Sequence, residues 1–593
     1  MRILGISCYF HDSAAVLIED GLLIAAAEEE RFTRKKHDFE FPYNAIRYCL
    51  SEQNLTGTDL DYVVFFEKPF NKFDRLMKTS LQGFPKTYRM FVQSMKTWLL
   101  DKLWIKSLIA KELNIDSKRI MFSEHHLSHS ASSYFCSPFE ESAILTFDGV
   151  GEWSTTTMGT GKGTNISTTH EIRFPHSIGL LYSAFTAFLG FEVNEGEYKV
   201  MGMAPYGTPK YLDKIWKIVK QDGNGSFWID QKYFAFHYST NRSYTDAFIG
   251  LFGDPRDPEV PFFTKTSDYP IYYGERPRNF EEMCEYNQYY ADIASSIQQV
   301  TEDLILSMAK ELHRETGLTK LCLAGGVALN SVANARILQE TPFEEIYIQP
   351  SAGDGGGALG AALVAWHGML SNSKRFEMSH AYWGQSYNTE QCEQALEKYG
   401  LSGELLCDQQ KLIDRTVEQL EIGKVIGWFQ GRFEWGPRAL GNRSILADPR
   451  SADMKDLVNT KIKFREPFRP FAPSVLADKS EEYFDLPCAN KHMPTRFMLL
   501  VVPVKEEQQD SIPAVSHLGS ARIQTVYSED NPLYYKLIEN FGYATGIPVL
   551  LNTSFNVRGE PIVNTPENAI DTFLDSGIDT LILGNHIINK PDS

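Results

Sequence analysis

Three histidines fall within five positions of the segment SEHHLSHSASSYF, residues 123–135, in a chain that has 14 histidines in all. A helix turns once in 3.6 residues, so His125 and His129 would project from one face and His126 from another. Two imidazoles at that spacing can grip a metal ion, or simply sit together on a half-exposed helix; the spacing alone leaves both open. Two aspartates bear on the choice. Asp148, in FDG, and Asp354, in AGDGGG, lie at the ends of apolar strands, where a carboxylate withdrawn from water is costly unless paired or metal-bound. The four side chains supply two nitrogens and two oxygens, a set that suits Fe²⁺, Mn²⁺ or Zn²⁺ better than Mg²⁺ alone.

Other residues point to phosphates. Glycines 149, 151, 325, 326, 355, 356 and 357 follow apolar strands, so their N–H groups can approach a nucleotide. Gly355, Gly357 and Gly360 satisfy G-x-G-x-x-G, but the following helix runs into a polar boundary instead of a second strand with its acidic residue, which argues against a dinucleotide fold. GTGKGT lacks the first glycine and the Lys-Ser/Thr pair of a phosphate loop. Farther on, GPRALGNRSILADPR (436–450) and KIKFREPFRPFAP (461–473) concentrate Arg438, Arg443, Arg450, Lys461, Lys463, Arg465 and Arg469, interleaved with prolines and aromatics. Arg522, Asn552, Ser554 and Arg558 follow at expected strand ends and turns. The planar fork of arginine matches phosphate oxygens, so these residues predict an anion pocket.

The elements that must position them read as α/β. MRILGISCYF and AAVLIEDGLLIAAAEEE form strand, turn and strand about EDG; SAILTFDGVGEWSTTTMGTGKGT repeats that layout, with a strand at 142–147, and hints at a duplication. Apolar spacing predicts helices over 87–113 and 284–315, while 220–280 reads as an irregular insertion or lid. KLCLAGGVALNSVANARIL and EIYIQPSAGDGGGALGAALVAWHGML each run from strand through a glycine turn to a helix. Polar residues 371–381 mark a boundary between domains 1–370 and 383–593, and a helix at 410–421 and a strand at 425–429 open the second.

At 593 residues the chain needs more than one core, and with 43% hydrophobic and 23% charged residues it is neither disordered nor fibrous. A formal charge of −18 disfavours a broad nucleic-acid surface. Eight scattered cysteines without C-x-x-C predict reduced thiols. With no leader-like run at the N-terminus and no long apolar stretch, the expectation is a cytoplasmic protein without a membrane partner.

Taken in order, LGISCYFHDSAA, EHHLSHSASSYF, LTFDGVGEW, GLLYSAFTAFLGFEVNEGEYKVMGMAPYG, LAGGVALN, DGGGALGAA, GPRALGNRSIL, KIKFREPFRPFAP and LLNTSFNVRGEPIV strongly resemble the NodU/CmcH family of O-carbamoyltransferases. The resemblance implies an N-terminal duplicated domain of the ASKHA (actin-like ATPase) type, similar to the tRNA threonylcarbamoyl transferase, and a C-terminal YrdC-like α/β domain. It implies that carbamoyl phosphate and ATP give carbamoyl-AMP in the second domain and that the carbamoyl group passes to a hydroxyl in the first; because a released carbamoyl-adenylate hydrolyses, an enclosed path between the two is expected. By the same resemblance His125, His129, Asp148 and Asp354 are metal ligands, with Fe²⁺ ahead of Mn²⁺ or Zn²⁺ and with Mg²⁺ accompanying ATP. Gly149, Gly325, Gly326, Asn330, Gly355 and Gly356 line the nucleotide. His11 lies beside the transferred group, and His11 or Asp12 takes the hydroxyl proton. Acceptors in the family include antibiotics, toxins and nodulation oligosaccharides, so a small-molecule acceptor is expected, chosen by loops 153–182 and 210–280, where the aromatic FWIDQKYFAFHY would suit a flat or apolar molecule. A homodimer is implied by resemblance alone. The alternatives are a small-molecule kinase on an ASKHA-type domain, a tRNA-modifying carbamoyl transferase and a non-catalytic nucleotide-binding regulator.

Overall fold

A computed structural model describes residues 1–100, 102–267, 269–488 and 491–590. The chain divides into two compact units. The first comprises Met1–Ile24, Phe39–Tyr269 and Glu275–Glu377, and the second Ala25–Asp38, Pro270–Gly274 and Met378–Ser593. The main division falls inside the polar stretch 371–381, but two short segments from the N-terminal half belong with the second unit, contrary to a single cut at that stretch. The reason for Ala25–Asp38 is polar. Glu28 Oε1 accepts from the Gly436 N–H at 2.8 Å, Arg31 Nη2 donates to the Gly436 carbonyl at 2.7 Å, and both side chains are buried.

In chain order the first unit holds β1 (Arg2–Ser7), β2 (Ala14–Glu19), β3 (Leu22–Glu28, whose last residues count with the second unit), β4 (Tyr62–Phe65), β5 (Ile120–Phe122), β6 (Glu141–Phe147), β7 (Ser154–Lys162), β8 (Asn165–Arg173), the hairpin β9 (Val219–Gln221) and β10 (Phe227–Ile229), then β11 (Lys320–Ala324) and β12 (Glu345–Tyr347). One sheet runs β3-β2-β1-β4-β5 and another β8-β7-β6-β11-β12. Each begins with antiparallel strands and continues with parallel ones: β1 pairs antiparallel with β2 and parallel with β4, as β6 does with β7 and β11. The duplication hinted at by the two hairpins is therefore a repeated five-stranded topology, the layout implied by the ASKHA resemblance. The first hairpin turns at Asp20 and Gly21, both at positive φ (49° and 80°), the signature of a tight turn that matches strand twist. The second is joined by the longer loop 148–153, which carries Asp148.

The expected helix 284–315 spans Phe280–Thr316, whereas 87–113 is divided into Tyr88–Leu100, a 3₁₀ turn Lys102–Trp104 and Ile105–Glu112. The irregular stretch 220–280 contains one hairpin strand, β10, and the helix Asp246–Phe252. Its aromatics divide: Trp228 is 42% exposed, and Tyr233, Phe236 and Tyr238 are half-buried. Phe227 and Phe234 are buried, and Phe234 packs edge-on to Phe248, which in turn meets Phe185 and Phe188.

The second unit contains β13 (Glu404–Leu405), β14 (Ile426–Phe429), β15 (Arg443–Ala447), β16 (Ala472–Leu476), β17 (Val501–Pro503), β18 (Ser520–Arg522), β19 (Gln524–Val526), β20 (Val549–Ser554), β21 (Thr580–Leu583) and β22 (His586–Asn589). Eight of them form one mixed sheet, β13-β22-β21-β14-β15-β20-β16-β19, and β17 pairs with β18. Helix Gln409–Glu421, capped by Asp408 accepting from the Gln410 N–H, buries Leu412, Val417 and Leu420 in a core with Trp428 and Phe541. Among the described residues no helix is long and apolar enough to cross a membrane.

Candidate active site

His125 opens the helix His125–Tyr134 directly after β5. The helix start is held by a side chain from the 148–153 loop: the His125 N–H donates to both carboxylate oxygens of Glu152, at 3.0 and 3.1 Å, and Glu152 also accepts from the Lys68 N–H at 2.9 Å. A carboxylate there satisfies an otherwise orphaned donor and complements the helix dipole. Asp354 opens a second helix, Asp354–Leu363, and the two helices approach closely because Gly360 has no side chain; a Cβ there would stand 1.7 Å from the Ser128 carbonyl oxygen.

These elements bring His125, His129, Asp148 and Asp354 together, with one ligand atom from each lying within 4.8 Å of the others. His125 Nε2 is 3.0 Å from Asp148 Oδ2 and 3.6 Å from Asp354 Oδ1; His129 Nε2 is 3.4 and 3.5 Å from the same atoms. Both imidazoles are fully buried, and the aspartate side chains are 12% and 5% exposed. His126 faces away. Its Nε2 donates to the Ser154 carbonyl at 2.9 Å, so its Nδ1 accepts from Thr146 at 2.7 Å, a packing role.

The donor set fits a divalent ion. The two Nε2 atoms face each other at 3.1 Å, so at least one presents a lone pair to the space the carboxylates share. Both Asp354 oxygens are buried without a hydrogen bond, which hydrogen bonding inside the protein alone leaves unexplained. Burial pulls His125 down to about 3 against the pull of Asp148; burial also acts on His129, but the facing carboxylates of Asp148 and Asp354 outweigh it and raise that imidazole to about 9. Asp148, despite burial, is held well below the carboxylate range by the two histidines, while burial and Asp148 raise Asp354 to about 6. The carboxylates favour positive charge in the space they share with the imidazoles, and a divalent ion would supply it once both imidazoles are neutral.

His11 and Asp12 form a pair, Nδ1 to Oδ2 at 2.8 Å. Burial works against the imidazolium, but Asp12, with smaller contributions from Asp354 and Asp148, raises His11 to about 9. The pair thus favours the protonated imidazole.

The glycines divide. Gly326 donates its N–H to Asp148 Oδ1 at 3.2 Å, and Gly149 has open space where a side chain would be. Gly325 and Gly356 are instead explained by close backbone, since a Cβ would meet the Phe147 carbonyl oxygen at 2.2 Å and that of Ser351 at 2.0 Å; Gly355 lies buried in the first turn of its helix. Asn330 caps a helix, its side chain accepting from the Ala333 N–H at 3.2 Å and pairing with Gln298.

In the second unit the basic residues also divide. The Arg522 side chain has no hydrogen bond or ion pair among the described residues, and its charge is disfavoured first by burial and then by Arg438, Arg465 and Arg469. Like charges gathered without a carboxylate on Arg522 are what a bound anion would offset. Arg465 is aimed by Asn459, Nε to Oδ1 at 2.7 Å. Arg443 does not belong to it: fully buried over the Phe429 ring, it spends its guanidinium on the carbonyls of Gln430, Gly431, Asn442 and Gln385. Arg450 is engaged by Asp448 at 2.6 Å, and Lys461 is exposed. Lys463 reaches Ser554 and Asn556, fixing that turn, with its charge depressed by burial, Arg465 and Arg469. Asn552 spends its amide on Ala439, Ser474 and Gln524. Arg558 lies 3.8 Å from Glu466.

Sequence reasoning missed Glu152, and also Glu67, buried against Lys72 at 2.6 Å and 3.9 Å from His125 Nδ1. Glu152 was within reach as the one carboxylate in the glycine loop after Asp148; nothing local marks Glu67.

The family model for the carbamoyltransferase N-terminus matches residues 2–363, and that for the C-terminus matches 417–590. An uncharacterized protein of Synechocystis is 45% identical, over 99% of this chain and 97% of its own length. Nodulation protein NolNO of Sinorhizobium fredii is 37% identical, over 98% of this chain and 79% of its own. An uncharacterized protein of Methanocaldococcus jannaschii is 30% identical over the full length of both. Solved structures align more loosely: HypF of T. kodakarensis covers 61% of this chain and is itself covered over 47%, at 14% identity and a TM-score of 0.29, too low to argue from. With both halves matched in order and full-length relatives on record, the chain belongs to the carbamoyltransferase family and is an enzyme of carbamoyl transfer.

Proposed function

We propose that in the second unit water releases phosphate from carbamoyl phosphate, that an oxygen of the resulting carbamate displaces pyrophosphate from ATP to give carbamoyl-AMP, and that the first unit passes the carbamoyl group to a hydroxyl of a small-molecule acceptor, with AMP leaving. The observation that carries this is Arg522 among Arg438, Arg465 and Arg469: an unpaired guanidinium in a cationic cluster calls for a polyanion, and both substrates bring phosphates. Arginine forks aimed from fixed side chains would orient the phosphates and offset the charge that develops as pyrophosphate departs.

In the first unit His125, His129, Asp148 and Asp354 would hold a divalent ion, which supplies a Lewis acid for the carbamoyl group. Glu152 fixes the start of the histidine helix, and with it the direction of His125. His11, charged through Asp12, would donate a hydrogen bond to the oxygen on which negative charge develops.

The test needs no acceptor. Purified protein, ATP, carbamoyl phosphate and a divalent metal should release pyrophosphate only when carbamoyl phosphate is present, with carbamoyl-AMP detected by mass. No release while both substrates bind would overturn the activation half of the proposal, and a phosphorylated alcohol would replace it with a kinase.

A further inference from the structure

Between β4 and β5 the chain inserts two helices, Pro69–Gln82 and Tyr88–Leu100. Residues 68–111 carry ten lysines and arginines against two aspartates, in a chain whose formal charge is −18. The same insertion exposes large apolar side chains: Phe70 is 72% exposed, Leu81 71% and Phe84 68%, with Tyr88, Val92 and Leu99 half exposed or more. Single exposed apolar residues are ordinary, but a cluster of six within thirty positions marks a surface that meets something.

Spacing aligns them. Phe70 and Leu81 are eleven residues apart, three full turns, and so share one face with exposed Lys78. Tyr88, Val92 and Leu99 repeat that interval on the second helix, with exposed Lys96 in the same stripe and Arg89 beside it. Phe84 and Lys86 are exposed in the connecting turn. On these faces the acidic residue is Asp74, already tied to Lys78 at 2.8 Å. The inner side is anchored by Lys72 on Glu67 and by Arg75, which donates to the Gly151 carbonyl at 2.6 Å.

We propose that these two helices dock the protein peripherally on an anionic lipid surface. A second copy meeting the first about a two-fold axis would set this basic face against itself. Single-stranded nucleic acid could stack on Phe70, Phe84 and Tyr88 but would leave the exposed Leu81, Val92 and Leu99 without a partner. Anionic headgroups over acyl chains accept both kinds of side chain at once: Lys78, Lys86, Arg89 and Lys96 meet the headgroups while the apolar side chains enter the boundary below. The sequence alone suggested no membrane partner, because neither helix is apolar enough to span one.

Flotation of the full-length protein with phosphatidylcholine vesicles, with and without phosphatidylglycerol, tests the proposal. Binding is expected only to the anionic vesicles and should weaken as salt is raised. K86S/R89S/K96S should weaken it about a hundredfold, roughly fivefold for each charge removed. L81S/F84S should remove binding that survives high salt, and unchanged thermal unfolding would show both variants folded. No flotation with anionic vesicles, equal flotation with neutral ones, or wild-type flotation by the folded triple variant would overturn the proposal. So would absent flotation accompanied by a change in the variants' oligomeric state or RNA affinity.

Discussion

Gly151 offers a test of the metal centre that leaves every ligand in place. A Cβ at this position would stand 2.9 Å from His125 Cδ2 and 3.1 Å from His125 Cβ and Cγ. Carbon atoms pack at about 3.5–4.0 Å, so in Gly151→Ala the ring must retreat by roughly 0.5–1 Å. It has little room, because its backbone N–H is fastened to Glu152 and its Nε2 sits 3.0 Å from Asp148. Metal sites tolerate ligand displacements of only about 0.2 Å, so affinity should fall by roughly 10–100-fold, with a packing cost of about 1–3 kcal/mol. Gly149, two residues earlier, is the control: a Cβ there meets only Leu180 Cδ2, at 4.0 Å, and Gly149→Ala should bind metal like the wild type. Chelator competition gives the affinities, and thermal unfolding the stability. Pyrophosphate release, assigned to the other unit, should be unchanged in Gly151→Ala. Wild-type metal affinity in that variant, or an equal loss in Gly149→Ala, would refute the geometry.

Arg522→Met should abolish carbamoyl-phosphate-dependent pyrophosphate release while raising the melting temperature without ligands, since it removes one of several crowded like charges; inorganic phosphate should then stabilise the wild type but not the variant. Arg443→Met should do the opposite, costing about 3 kcal/mol in a melt because buried carbonyls lose their donor, with little change in KM for carbamoyl phosphate in the folded fraction. The His11 imidazolium is stabilised by the fold, so its contribution to stability is complete below the unfolded pKa of about 6.5 and is lost as pH rises through about 9. Carbamoyl transfer should therefore fall on the alkaline side near pH 9, and Asp12→Asn should move that limb to lower pH; an unmoved limb would release His11 from the transfer step.

The convergence of His125, His129, Asp148 and Asp354 was legible because residue chemistry and position agreed: imidazoles at helical spacing, and aspartates at strand ends where a free carboxylate is costly. The duplication was legible because hairpin turns are local. The basic cluster was legible only as a crowd. Nothing in the sequence separates Arg522, left unpaired, from Arg443, consumed by carbonyls, since the difference lies in backbone that folds back from elsewhere. Asn330 and Gly356 show the same ambiguity, since capping and close packing choose the residue types that ligands choose. The aromatic run 227–238 has the composition of a binding surface, and only the fold separates Phe234, packed on Phe248, from Trp228, left 42% exposed.

The passage of Ala25–Asp38 through the second unit also sets a timetable for synthesis. Arg31 and the Gly436 carbonyl it binds are 405 residues apart. At about 5–20 residues per second, roughly 20–80 s pass between the making of the two. Through that interval a nascent chain carries Glu28 and Arg31 without the Gly436 backbone groups that each binds, so the polar tie between Ala25–Asp38 and the rest of the second unit forms only after residue 436 has been made. A chain released early, at the polar boundary, would keep the Glu28–Arg31 ion pair but lose both backbone partners.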